Sequence, residues 1–201
     1  MQVPFTARVL EYAYRNGYFP MNDPQTNEIH WYRPDPRAIL PLNAFHCSRS
    51  LRKRLRQGGF RVSFNQAFRQ VMEACAERAE GTWISEEFVD AYGELHRHGK
   101  AASVEVWEAD RLVGGVYGVC LDQAFFAASM FHRETDASKV ALYHLVKALI
   151  AAGYQLLEVQ FLTDHLESLG AVEISDETYA GLLKEALKEP AKSALGSAPA
   201  E

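Results

Sequence analysis

AFFAASMFHRETDASKVALYHLVKALIAAGYQLLEVQFLTDHLESLGA, residues 124–171, carries more structural information than any other part of the chain. Its apolar start, 124–131, has the length and aromatic content of a strand. A polar turn follows, and the apolar spacing over 137–152 predicts a long helix that Gly153 closes. Residues 156–162 then predict a second strand, parallel to the first because a helix separates them. Side chains alternate along a strand, so Leu156, Glu158, Gln160 and Leu162 share one face and Leu157, Val159 and Phe161 the other. A carboxylate beside a carboxamide in an otherwise apolar strand needs hydrogen-bond partners or a chemical task. A satisfied polar pair at a strand end and an acyl-transfer site both fit.

Working outward, residues 103–109, 112–121 and 124–131 read as three successive strands. Short turns at Asp110-Arg111 and Asp122-Gln123 predict an antiparallel meander. Gly114-Gly115 in its middle strand points to a bulge or a close backbone approach. Helices are expected over 6–16, 66–78, 85–96 and 176–188, a helical turn at 164–169, and short strands at 61–64 and 172–174. A Pro-, Asn- and Asp-rich loop occupies 20–27, and the prolines of HWYRPDPRAILPL predict an irregular ribbon or an edge strand.

These elements give an α+β fold with a small N-terminal domain at 1–45 and a domain with a mixed, largely antiparallel sheet at 46–189. Residues 190–201 have little to bury and are expected to be a disordered tail. The meander, long helix and parallel strand resemble the GCN5-related acyltransferase core. That core holds a coenzyme A pyrophosphate in a glycine-rich turn before its long helix. Here the turn is Arg133-Glu134-Thr135-Asp136-Ala137-Ser138, with no glycine and two carboxylates. An acyl donor other than coenzyme A is expected.

At 201 residues and 48% hydrophobic, the chain can bury a sizeable core. No run approaches the roughly 18 apolar residues of a membrane helix, and the N-terminus lacks a signal-peptide layout, so no membrane association is expected. Cys47, Cys75 and Cys120 are odd in number and far apart, which suggests neither a disulfide framework nor a zinc site and fits a reducing cytoplasm. His96, His98, His132 and His144 lack metal-ligand spacing. The net charge of -5 argues against indiscriminate nucleic-acid binding, yet RSLRKRLRQGGFR, residues 49–61, has six cations and no acid. Such a patch is either a solvated basic helix or a place to hold a phosphate backbone. Ser48 or Ser50 is placed to cap that helix and Gly58-Gly59 to end it.

WYRPDPRAILPL, HCSRSLRK, GTWI, HRHGKAASVEVW, LVGGVYGV, SMFHRETDASKVAL and QFLTDHLESLGAVEI, in this order, resemble the leucyl/phenylalanyl-tRNA–protein transferase family over about residues 10–183. The resemblance implies an enzyme that moves leucine, phenylalanine or methionine from aminoacyl-tRNA to acceptor proteins with N-terminal Arg or Lys. That mark leads to degradation by the bacterial N-degron route. It also implies a small N-terminal domain before a GCN5-like domain, in agreement with the element order. An aminoacyl ester is already activated, so no cofactor, ATP or metal is required. The acceptor α-amine, with a pKa of about 7.7–8.0, is partly neutral near pH 7. Catalysis then needs orientation of amine against ester, a proton sink and stabilisation of the oxyanion.

By the same resemblance, Glu158-Val159-Gln160 stands where the family has Asp-x-Gln, to which proton-relay and amine-orienting roles are assigned. Glu158 and Gln160 are therefore the candidate catalytic residues. The family typically has Glu before Ser-Met-Phe, toward the cationic acceptor, whereas here Ala128 precedes Ser129-Met130-Phe131. Ala128 and Ser129 remain candidate substrate-binding positions, with a weakened Arg/Lys preference unless Glu134, Asp136 or Glu158 substitutes. The departure sustains an alternative: a catalytically altered or inert homologue that binds tRNA or N-degrons.

Val116, Leu145 and Leu149 match positions lining the donor side-chain pocket, although leucines four apart on a helix also fit ordinary core. Trp83 and the pair Trp31-Tyr32 offer faces for the tRNA 3′ adenosine or the acceptor. Arg49, Arg52, Lys53, Arg54 and Arg56 are expected at tRNA phosphates. Asp164-His165 falls where a helix begins and is read as structural. Ser129 lacks a Gly-x-Ser-x-Gly elbow and is read as a hydrogen-bonding group, not a nucleophile. Lys139 is expected to orient a loop or touch RNA.

Overall fold

The computed structural model describes residues 4–23, 25–26, 28–77 and 81–196. In chain order its elements are α1 (Ala7–Arg15), β1 (Phe19–Asn22), β2 (Ile29–Tyr32), β3 (Arg37–Ile39), α2 (Arg49–Gln57), β4 (Arg61–Phe64), α3 (Phe68–Ala76), α4 (Glu86–Arg97), β5 (Ala101–Glu108), β6 (Arg111–Leu121), β7 (Ala124–His132), α5 (Ala137–Ala151), β8 (Leu156–Gln160), α6 (Asp164–Glu167), β9 (Val172–Ile174) and α7 (Asp176–Ala186). β1 and β2 pair as a hairpin. The other seven strands form one sheet in the order β4-β5-β6-β7-β8-β3-β9, antiparallel except between β7 and β8. The α+β architecture read from the sequence is present, with its meander β5-β6-β7, crossover α5 and parallel β8.

Both faces of the large sheet are covered. On one, Leu10 and Tyr14 of α1, Val71 and Met72 of α3, and Phe88 and Tyr92 of α4 pack with Tyr117, Val119 and Phe126 of the strands. On the other, Leu142 and Leu149 of α5 and Leu51 of α2 pack with Val104, Val116 and Phe125. Full burial of each such side chain contributes roughly 1.5–3 kcal/mol, so the two layers dominate stability. Gly114 sets how closely α5 approaches the sheet: a Cβ there would lie 2.6 Å from the Ala137 Cβ. The meander register also shifts between Val106 and Trp107, opposite this glycine. The bulge and the close approach expected of Gly114-Gly115 therefore both occur.

Three features depart from the sequence reading. β3 is not an edge strand, because it lies between β8 and β9 and pairs with both. Pro36 precedes and Pro41 follows it, so the paired residues keep the N–H groups a sheet needs. A strand from the N-terminal 45 residues thus completes the large sheet. The 20–27 loop begins as strand, since β1 reaches Asn22; Pro24 and Asn27 lie outside the described residues, as does Arg78 at the end of the expected 66–78 helix.

The tail is also held in part. The Lys192 N–H donates to the Ala152 carbonyl at 2.9 Å, Asn65 Nδ2 donates to the Leu195 carbonyl at 3.0 Å, and Leu195 is buried. One leucine in a polar segment is invisible to a compositional argument. Residues 197–201 lie outside the described residues.

Candidate active site

β7 and β8 pair only over 124–126 against 156–158. Beyond that point β7 continues alongside β6 and β8 alongside β3, so the two strands part. An irregularity in each strand accompanies the parting. Tyr117 faces Ser129 while Gly118 faces Ala127, which leaves Ala128 as an extra residue in β7. A bulge of this kind re-aims side chains. Ala128 belongs to the α1–α3–α4 layer, whereas Met130, two residues on, packs toward α5. In β8, Ile39 faces Glu158 and Ala38 faces Gln160, so Val159 is extra. Gln160 has φ 67°. A glutamine in left-handed backbone costs of order 1–3 kcal/mol and persists only where its surroundings enforce it, as at functional sites.

A cavity of about 310 Å³ occupies the wedge. Its wall brings together Gln160, Ala128, Ser129, Val116 and Trp83, five of the side chains nominated from sequence. A neighbouring cavity of about 410 Å³ contains Tyr32 and shares Met21 and Trp83 with the first, so these two side chains form the partition. Trp83 is held edge-to-face on Phe88, and Tyr32 stacks on Phe19. The most voluminous of these concavities, about 910 Å³, lies over α1 and holds Trp31. Trp31 therefore belongs to neither wedge cavity. Met21, Thr163, Phe161 and His165 also line the wedge and were not foreseen; an apolar Met in a Pro-Asn-Asp loop and the Asp164-His165 pair were their only traces in sequence.

Glu158 is not on this wall. It is 1% exposed, its Oε1 accepts from Arg37 Nη1 at 2.7 Å, and its Oε2 accepts from the Tyr179 hydroxyl at 2.7 Å. Arg37 is itself fully buried, donates from Nη2 to the Gly17 carbonyl at 2.5 Å, and lies 4.2 Å from the centre of the Tyr179 ring. Burial pushes the Glu158 carboxyl pKa up, against the pull of Arg37 and the Tyr179 hydrogen bond. The expected shared face of Glu158 and Gln160 is broken by the extra residue at Val159, which strand alternation cannot anticipate. Glu158 braces β3, β8 and α7, while Gln160 alone reaches the cavity.

Two further expectations are corrected. Leu145 and Leu149 do not line the cavity; they are buried on the inner face of α5, in ordinary core. Among the described residues, no carboxylate lines the wedge in place of the one missing at Ala128. Glu134 pairs with Arg111 at 3.0 Å, Asp136 with Lys139 at 2.9 Å, and Glu158 with Arg37. Among the described residues lining the wedge there is neither Asp nor Glu. Lys139 orients the turn before α5 through Asp136, whose backbone is left-handed at φ 66°.

The basic helix α2 is capped by Ser48, whose Oγ accepts from the Leu51 N–H at 3.2 Å. Leu51 anchors it, and Arg49, Arg52, Lys53 and Arg56 are exposed. Arg54 is half-buried, 3.8 Å from the centre of the Phe60 ring. Among the described residues, none of these five cations takes part in an ion pair. Their charge is thus available to an anionic partner. No helix among the described residues is long and apolar enough to cross a membrane.

The family model described as leucyl/phenylalanyl-tRNA protein transferase matches residues 39–184, and that of its N-terminal domain matches residues 4–35. The chain is similar to the leucyl/phenylalanyl-tRNA–protein transferase of Ruegeria sp. (strain TM1040), with 52% identity over 186 residues covering 92% of this chain and 88% of that one. The Salinibacter ruber protein of the same name is 48% identical over 90% of this chain and 80% of its own. That of Gloeobacter violaceus is 46% identical over 96% of this chain and 99% of its own.

Proposed function

The chain belongs to the leucyl/phenylalanyl-tRNA–protein transferase family and has its aminoacyltransferase activity in the N-end rule pathway, and we propose that transfer takes place in the wedge between β7 and β8. The observation that carries this reading is Gln160, a residue in strained left-handed backbone whose side chain lines a cavity made by the parting of two bulged strands. The Gln160 carboxamide orients the acceptor amine, and Ser129 offers a second hydrogen-bonding group beside it. Val116 and Met130 form the apolar wall for the donor side chain. Trp83, in the partition, and Tyr32, in the neighbouring cavity, receive the tRNA 3′ adenosine. Glu158 acts on Gln160 only by fixing β8. Asp136, paired with Lys139 where a pyrophosphate would otherwise lie, supports a donor other than coenzyme A.

The donors are leucyl- and phenylalanyl-tRNA, the acceptors are proteins with N-terminal Arg or Lys, and the setting is the cytoplasm, where charged tRNA is made. The carboxylate-free wall supports a weaker preference for cationic over neutral or acidic N-termini. Labelled leucine should pass from leucyl-tRNA to peptides beginning with Arg or Lys ahead of those beginning with Asp or Glu. Transfer to acidic N-termini alone would overturn the acceptor assignment. Intact tRNA binding without any transfer would favour the inert binder.

The α2 cations hold tRNA phosphates. Reversing Arg52 and Arg56 to Glu is expected to raise the tRNA Kd at least about tenfold and to flatten the slope of log K against log salt by about 1.5. A salt titration with an unchanged slope removes α2 from the interface.

A further inference from the structure

Among the described residues lining the wedge, His165 is the one whose side chain exchanges a proton near neutral pH. The other polar groups there, Gln160, Ser129 and Thr163, form hydrogen bonds but do not titrate in that range. Glu158, one of the two candidate catalytic residues, has both carboxylate oxygens engaged and lies off the wall. Yet an amine that attacks an ester must shed a proton, and a wedge with no acceptor for it favours return to reactants.

The His165 Nε2 is buried and makes no hydrogen bond to another described residue, a state that calls for an explanation in a native protein. The residue is held in place by the first turn of α6, where Thr163 Oγ1 accepts from the Leu166 N–H at 3.3 Å. Burial, then Lys139 of α5 and His132 of β7, hold the imidazole pKa below the ordinary histidine range, against the opposing pull of Asp136. The ring is therefore neutral at neutral pH, the form that accepts a proton.

Resting on the reading of the wedge as the transfer site, we infer that His165 is the proton-transfer group of the reaction, not the structural residue its sequence position suggests. The acceptor nitrogen forms its bond to the ester carbonyl carbon, and the neutral His165 imidazole takes the proton that nitrogen sheds. The bond from carbonyl carbon to ribose oxygen then breaks with its electron pair on oxygen, which receives the proton from the imidazolium. The neutral ring is restored, and no proton is gained or lost overall.

The test is the pH dependence of kcat/KM for transfer by the full chain. Two groups must be neutral, the acceptor amine and His165, so the logarithmic profile should rise with a slope of about two below both pKa values and about one between them. A peptide whose α-amine is less basic should shift one limb and leave the other in place. His165→Gln should abolish the fixed limb and lower kcat about 100-fold while the tRNA Kd stays the same. A wild-type profile with a single limb that follows the acceptor amine overturns the inference without recourse to any variant. So does His165→Gln transfer within about threefold of wild type with both limbs retained. Ser129→Trp, which fills the wedge, separates this failure from that of the site itself: continued transfer by that variant removes the wedge, whereas its inactivity beside a normal His165→Gln removes His165 alone.

Discussion

Arg37→Ala is expected to lower the folding free energy by about 3–5 kcal/mol, because it strands the Glu158 carboxylate in the core without its cation. The guanidinium also bridges to the Gly17 carbonyl and covers the Tyr179 ring, so the turn after α1, β3, β8 and α7 lose a common contact. Urea unfolding reads the effect as a lower midpoint with an unchanged m-value. A buried ion pair can be exchanged for apolar groups of similar volume at small net cost, whereas half of a pair cannot be left behind. Arg37→Met with Glu158→Leu should therefore recover most of the lost stability. A folded double variant gives a second measurement: transfer should persist, since Glu158 is off the cavity wall. Its disappearance in a double variant as stable as wild type would show that Glu158 does more than fix β8.

Ala128→Glu is expected to raise kcat/KM for an Arg-initiated peptide by about 10–100-fold relative to a neutral-initiated one, the worth of a charge-assisted hydrogen bond. The wedge has no carboxylate among its described lining residues, and the three acids that might have replaced one are held by Arg111, Lys139 and Arg37. Position 128 is the bulged residue of β7, so a longer side chain there projects into the cavity in place of a continuous strand face. Competition between Arg- and Ala-initiated peptides for a limiting pool of leucyl-tRNA measures the ratio directly. An unchanged ratio would show that the cationic side chain is read outside the wedge.

Much of the fold was legible because its signals are local. Gly153 ends α5, Ser48 caps α2, and the turns at Asp110 and Asp122 divide the meander at their observed places. Of the candidate site, the sequence named Gln160, Ala128, Ser129, Val116 and Trp83, which line one cavity. What failed depends on pairing register, which the chain does not state locally. The extra residue at Val159 separates Glu158 from Gln160, and the insertion of β3 beside β8 supplies the buried Arg37 that occupies Glu158. Leu145 and Leu149 were ambiguous for a different reason: one helix face can serve a core or a pocket, and only the neighbouring layer decides. His165 was passed over because the parting of β7 and β8, which gives it a cavity to line, is a property of two strands and not of either segment.

The place of β3 has a consequence for how the molecule is made. Residues 37–39 leave the ribosome well before 156–160 and 172–174, the two strands between which they must finally lie. Until those arrive, the nascent chain has an apolar segment without neighbours and a cation whose counter-charge has not yet been synthesised. A product truncated before residue 172 lacks the strand that covers β3, and no amount of order elsewhere supplies it. The β3 segment thus stays without its two sheet neighbours until residues 156–174 have been made.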